Sequence, residues 1–189
     1  NNFRLYLSDY LSSYHNTSAA HLELKDAKEL YRLGKFAKLE DPSLQFGYTQ
    51  ETLWLTAKIE NSTSAQITSN IEVRYAPLDY IDIYLVDAQE KLIAQVNLGD
   101  HIPYSAKPVK SRNHIGQLTF EANSQYQVFI RIKTDSSMSI PLYLSSNDAL
   151  YEYEHYVNII IGMFYGLSIG LFFYNLFLFY IIRDTVYLY

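Results

Sequence analysis

The sequence predicts an antiparallel, jelly-roll-like β-sandwich followed by one transmembrane α-helix. Three observations predict it. From residue 53 to residue 145, short runs alternate apolar and polar residues with period two, and turn signals such as Asn61-Ser62-Thr63-Ser64 and Gly99-Asp100 separate them. Before the C-terminal region, helix-forming sequence is confined to residues 18–33. Val157 to Ile182 then runs without Asp, Glu, Lys, Arg or His. As a helix that run is about 39 Å long, and a bilayer hydrocarbon core is about 30 Å thick.

Each element has its own warrant. Phe3 to Tyr10 alternates loosely and reads as an opening strand. Ser18 is placed to cap a short helix that carries Leu22, Ala27, Leu30 and Tyr31 on one side, and Gly34 is placed to end it. Asp41-Pro42 and Gly47 mark a loop. In Leu53 to Glu60, the residues Leu53, Leu55, Ala57 and Ile59 share one face, with Trp54, Thr56, Lys58 and Glu60 on the other. Strands follow at 67–75, 80–86, 92–98, 114–120, 126–133 and 141–145. In them Ile71, Val73, Ile81, Ile83, Leu85, Val128, Ile130 and Ile132 point inward. Arg74, Tyr80, Tyr84, Phe129 and Arg131 point outward. The implied domains are a sandwich over 1–150, a Tyr-rich join over 151–156, the membrane helix over 157–182 and a following loop from 183 to 189.

Bulk properties narrow the function. The 189 residues, less the span, leave one soluble domain of about 150 residues, enough for a sizeable core. A net charge of -5 argues against nucleic-acid binding. With no cysteine there is no disulfide framework and no cysteine-ligated zinc. Nineteen tyrosines suit a β-rich domain and an interfacial belt at the membrane. The first residue, Asn1, leads to the expectation of a removed signal peptide. Glu152, Glu154 and His155 precede the span and Arg183 follows it, so the positive-inside tendency puts the large domain outside.

The span carries its own signals. Gly162, Gly166 and Gly170 recur every four residues and allow another helix to approach closely. Asn175 is a polar amide in an apolar run and calls for a partner helix. Further membrane helices of the same protein are therefore expected, with the chain as a fragment of something longer.

The candidate ligand-binding residues are the outward aromatics and arginines: Trp54, Arg74, Tyr80, Tyr84, Phe129 and Arg131. Rings stack on the apolar faces of sugars, and polar groups bond the hydroxyls. The alternative is that these rings pack beneath loops or beneath the helix near residues 20–33. A second candidate is the loop from Asp100 to Asn113, where Tyr104, Lys107, Lys110 and Arg112 form a basic, partly aromatic stretch. The bland reading of that loop is a solvated charged segment. Asp79 and Asp82 are the nearest approach to a paired-carboxylate site, but one follows a Pro turn and the other lies on a strand. No serine triad, phosphate loop or metal motif appears, so no catalytic residue, cofactor or metal is assigned.

The order of several short motifs resembles one domain family. These are Phe46-Gly47, Leu53-Trp54-Leu55, Glu60-Asn61, Pro77 to Leu85, Gly99-Asp100, Pro103-Tyr104-Ser105, Arg112-Asn113, Phe129-Ile130-Arg131 and Pro141-Leu142. Together they resemble the type 2 extracellular domain of bacterial seven-transmembrane receptors with diverse intracellular signalling modules. Residues 162–189 are similar to the first helix of that family's membrane region, through Tyr174-Asn175-Leu176-Phe177 and Arg183-Asp184. The resemblance implies a periplasmic jelly-roll sensor, itself similar to carbohydrate-binding modules. It implies an inner-membrane location and a cytoplasmic output of diguanylate cyclase or histidine kinase type. Lys107 stands where such domains often have Arg, and an ammonium lacks the planar fork of a guanidinium. The expectation is a receptor region that binds a carbohydrate or other small molecule. A ligand-free interaction module, or homodimer, is the competing reading.

Overall fold

The computed structural model describes residues 2–17, 22–39, 42–184 and 186. Two compact units divide the chain, one over Asn1–Asn147 and one over Asp148–Tyr189. In the first, two antiparallel sheets enclose the core. One sheet has the order β1 (Arg4–Tyr6), β12 (Leu142–Ser146), β6 (Ile67–Val73), β9 (His114–Phe120). The other has the order β3 (Ala37–Lys38), β2 (Ser12–Asn16), β5 (Thr52–Asn61), β10 (Ser124–Lys133), β7 (Tyr80–Asp87), β8 (Leu92–Leu98). A short ribbon pairs β4 (Gln45–Tyr48) with β11 (Ser137–Ser139). From β5 onward the chain crosses between the sheets at β5–β6, β6–β7, β8–β9, β9–β10 and, past the β11 ribbon, β10–β12, while β7 and β8 form a hairpin within the larger sheet. That is the connectivity of a jelly roll.

The period-two pattern works as expected in the interior. Leu53, Leu55, Ile81, Ile83, Leu85, Ile130 and Ile132 of the larger sheet meet Ile71, Val73, Leu118, Phe120 and Leu142 of the smaller one, all essentially inaccessible to water. Each such side chain contributes about 1.5–3 kcal/mol by leaving water. On β5 the alternation hides a second fact, because Trp54 and Thr56 on the opposite face are buried as well.

Several local expectations are corrected. The opening strand stops at Tyr6, and Ser8–Tyr10 forms a 3-10 turn. The loop expected around Gly47 holds β4, and β2 and β3 lie where the sequence pattern assigns no element. They are short and polar, or interrupted by Gly47 at a φ of +67°, so periodicity could not show them. Ser18 lies outside the described residues. The helix α1 spans Leu24–Arg32, where Glu23 and Asp26 cap each other's backbone N–H groups. Gly34 does end it. With φ +68°, it lets its N–H reach the Tyr31 carbonyl and the Lys35 N–H reach the Leu30 carbonyl, closing the helix as a Schellman motif.

The helix α2 spans Asn147–Ile182, directly after β12. Residues 151–156, expected as a separate join, are therefore turns of the same helix. At about 1.5 Å per residue it is about 54 Å long. It is the one helix among the described residues long and apolar enough to cross a membrane. A Cβ added at Gly162, Gly166 or Gly170 would meet nothing within 4 Å, so this face is open.

Candidate ligand site

The outer face of the larger sheet carries the candidate site, and strand register builds it. One row crosses five strands: Tyr14 faces Trp54, Trp54 faces Arg131, Arg131 faces Asp82, and Asp82 faces Asn97. The adjacent row runs Thr56, Phe129, Tyr84, Gln95. The helix α1 packs on these rows. Ala27, fully buried, clusters with Trp54, Val86 and Phe129, and Tyr14, Leu22, Leu24, Tyr31, Phe36 and Tyr84 close around them. Trp54 stacks on Tyr84 with centroids 5.9 Å apart, and Tyr31 meets Phe129 edge-on at 5.9 Å.

The β7–β8 hairpin clasps α1 from one side. Glu90 adopts a left-handed backbone with φ +62° at the tip. Its carboxylate accepts both forks of Arg32, and its carbonyl accepts the Lys28 ammonium at 2.6 Å. The Arg32 hydrogen bond holds the Glu90 carboxyl below the usual carboxylate range.

Two hollows remain beside α1. A groove of about 660 Å³ lies against its C-terminal turns, between Lys28, Tyr31 and Arg32 on one side and Lys58, Gln127 and Phe129 on the sheet. A smaller one, of about 350 Å³, lies against its start, lined by Glu23, Lys25, Asp82, Tyr84, Asn97 and Arg131. In the smaller hollow, Arg131 donates to Asp82 at 2.7 Å and Asn97 donates to the other Asp82 oxygen at 2.5 Å. Burial, with the Asp82 charge adding to it, pushes the Tyr84 phenol up.

The structure separates the residues that the sequence grouped. Tyr84 and Arg131 share the smaller hollow, and Phe129 edges the larger one. Trp54 is 0% exposed beneath α1, so its ring presents no surface to a ligand. Of the two readings of Trp54, the ring packs beneath the helix near residues 20–33 and is not an open stacking platform. The physical reason is that α1 covers the outer face of β5, and no property local to β5 shows this. Phe129 is buried for the same reason, apart from its edge. Arg74 belongs to the opposite sheet. It lies 3.6 Å from the fully buried Glu72, which also accepts Arg4 at 2.6 Å and Asn113 at 2.8 Å. Arg4 and Arg74 both cover the Tyr143 ring. This cluster ties together β1, β6 and the loop after residue 110.

Tyr80, Tyr104 and Arg112 lie elsewhere again. Tyr80 stacks on His101 at 4.8 Å, at the end of β7. Tyr104 and Arg112 are exposed on the loop. That loop is more ordered than a solvated segment, because Lys110 donates to the carbonyls of Tyr104, Ser105 and Lys107. Asp79, Asp100 and His101 bring ligand atoms within 4.8 Å of one another. One Asp79 oxygen is already taken by the Asp135 N–H and the Thr134 hydroxyl, which hold its carboxyl below the usual range. The sequence pattern places Tyr31 on a helix face and Lys58 outward on its strand, but assigns neither of them, nor Gln127, to a site. The outward parity of Lys58 opposite a central strand was the signal available.

A polar clamp sits where β12 passes into α2. The Asn147 side-chain oxygen accepts Asn70 of β6 at 2.7 Å and Gln117 of β9 at 3.3 Å.

Residues 8–146 match the family described as 7TMR-DISM extracellular 2, and the chain belongs to that family. It is thus an extracellular domain of a membrane receptor family, joined to an apolar helix long enough to span a bilayer. No curated protein matches the chain. Among solved structures it is similar to CsCBM6-3 from Clostridium stercorarium, solved in complex with cellobiose, at 10% identity and TM-score 0.33 over 76% of this chain and 92% of that one. It is also similar to the CBM35 of Abf62 from Cellvibrio japonicus, at 8% identity and TM-score 0.35 over 78% and 94%.

Proposed function

We propose that the sandwich is the periplasmic ligand sensor of a receptor in the bacterial inner membrane. Its ligand is a carbohydrate or another small molecule, and the bound state is passed through the membrane helices to a cytoplasmic output of diguanylate cyclase or histidine kinase type. The chain itself binds and does not catalyse. One observation carries this reading. In a domain of this receptor family, the outer sheet face is roofed by a single nine-residue helix that leaves two hollows lined by aromatic edges and polar groups. A ligand shifts such a system only by its differential affinity for the two states.

A second reading has an observation of its own. The edge strand β8 exposes Leu92 and Ile93, which favours pairing with another copy. The deciding experiment melts the full chain in detergent against sugars, uronic acids and amino acids. A ligand that binds only the folded state raises the melting temperature with concentration. No shift across the panel, with concentration-dependent self-association, would replace the sensor with the interaction module.

A further inference from the structure

We infer that the larger groove, and not the smaller hollow that holds Arg131, takes the ligand, and that the ligand is a neutral polyhydroxylated molecule such as a free mono- or disaccharide. The inference rests on the sensing reading above and adds a site and a chemical class to it.

The floor comes from strand register. Lys58 on β5 and Val86 on β7 both face Gln127 on β10, so one row spans three strands. Ile59 and the edges of Phe129 and Tyr31 add apolar surface. The volume of about 660 Å³ lies within the range of about 300–1,000 Å³ usual for small-molecule sites.

The hydrogen bonds already made show what is left for a ligand. Gln127 spends one of its two amide N–H groups on the Thr56 hydroxyl at 2.6 Å, and that hydroxyl spends its proton on the Val128 carbonyl at 2.8 Å. The Gln127 carbonyl oxygen has no donor to it among the described residues and remains as an acceptor. Neither the Lys58 ammonium nor the Tyr31 hydroxyl has a hydrogen-bond or ion-pair partner among the described residues. The groove thus offers an acceptor, a donor and a hydroxyl that is both, above an apolar floor. A sugar presents the complement: hydroxyls that donate and accept, and C–H faces that are apolar.

Charge selects the class. Lys28, Arg32 and Lys58 line the groove against Glu60, Asp87 and Glu90, so the formal charges cancel. Glu90 is held by Arg32 and Lys28, Asp87 accepts the Gln89 and Lys91 N–H groups, and Glu60 accepts Gln125. An ion entering this groove would give up hydration without meeting a net opposite charge. A neutral polyol loses only hydroxyl hydration, which the lining replaces. In the smaller hollow Arg131 Nη1 and Asn97 each donate to Asp82, so both oxygens of that carboxylate are already engaged.

The test melts the full chain in lipid nanodiscs against matched pairs: glucose and glucuronate, galactose and galacturonate, maltose and maltobionate. The expected result is a concentration-dependent rise with at least one neutral sugar and an apparent affinity at least tenfold weaker for its acidic partner. Lys58→Met with Gln127→Met should abolish the response. Lys35→Gln, an exposed charge removed outside the groove, should keep it. Uronate binding as tight as or tighter than the neutral sugar, or a response that survives the double variant, overturns the inference and leaves the sensing reading standing. No response to any sugar or acid also overturns it, and the sensing reading then falls only if the amino-acid panel fails as well.

Discussion

Trp54 is the sharpest point at which structure and sequence part, and its replacement has a calculable outcome. It is the chain's single tryptophan, fully buried, stacked on Tyr84, with an indole N–H that has no acceptor among the described residues. Trp54→Ala loses about 3–5 kcal/mol through lost transfer energy and a cavity. Breaking the stack adds about 0.5–1.5 kcal/mol. Removing the unpaired N–H returns about 1–3 kcal/mol. At the middle of these ranges the net loss is about 3 kcal/mol, which at about 2–4 °C per kcal/mol lowers the melting temperature by roughly 6–12 °C. Trp54→Phe keeps most of the ring and deletes the same N–H, so it should fall within about 1 kcal/mol of the parent. Urea denaturation followed by circular dichroism measures both, since neither variant retains a tryptophan signal. Acrylamide quenching of the parent supplies an independent check. An indole quenched as readily as free tryptophan, or an alanine variant as stable as the parent, would refute the placement of α1 over β5.

Other outcomes follow from the same geometry. His114 is buried and bonds the Ala76 carbonyl at 2.9 Å, and burial pushes its pKa below the ordinary 6.5, with Lys107 adding to the effect. The unfolded chain therefore binds a proton that the folded chain resists, so stability is full above about pH 6.5 and declines as pH falls toward the folded pKa. His114→Gln should flatten that slope in denaturation midpoints compared at pH 7.5 and 5. Gly99 has φ +132°, and a Cβ there would lie 2.0 Å from the Asp79 carbonyl oxygen. Gly99→Ala should cost more than about 1 kcal/mol from backbone strain alone, and an unchanged melting temperature would contradict the turn. Glu72→Ala leaves Arg4 beside an empty buried site and should cost about 3–5 kcal/mol, read as a lower urea midpoint. Asn147→Ala removes the acceptor shared by Asn70 and Gln117. Amide exchange in the first turn of α2 should quicken in nanodiscs, and an unchanged rate would show that the clamp holds nothing.

The period-two runs of β5 to β10, the charge-free span and Gly34 as a helix stop were legible from sequence, because neighbouring residues alone set each of them. Alternation decides which side chains share a face, and backbone sterics decide where glycine ends a helix. The family was legible for a similar reason, since its motifs are short and their order survives in the chain. The position of α1 was not legible, because a nine-residue helix takes its place from what it packs against. That single placement turned Trp54 and Phe129 from an open platform into a buried cluster and left the groove beside Lys58 and Gln127. Nor did parity show that Arg74 and Arg131 face opposite sides of the sandwich, since both read as outward and only the long-range pairing of β6 with β12 and of β10 with β7 separates them. Local pattern therefore determined which side chains face between the sheets and which residues form the apolar helix long enough to cross a membrane. Tertiary contact between segments far apart in the chain decided which outward residues meet, because that depends on sheet membership and on one helix laid across a sheet.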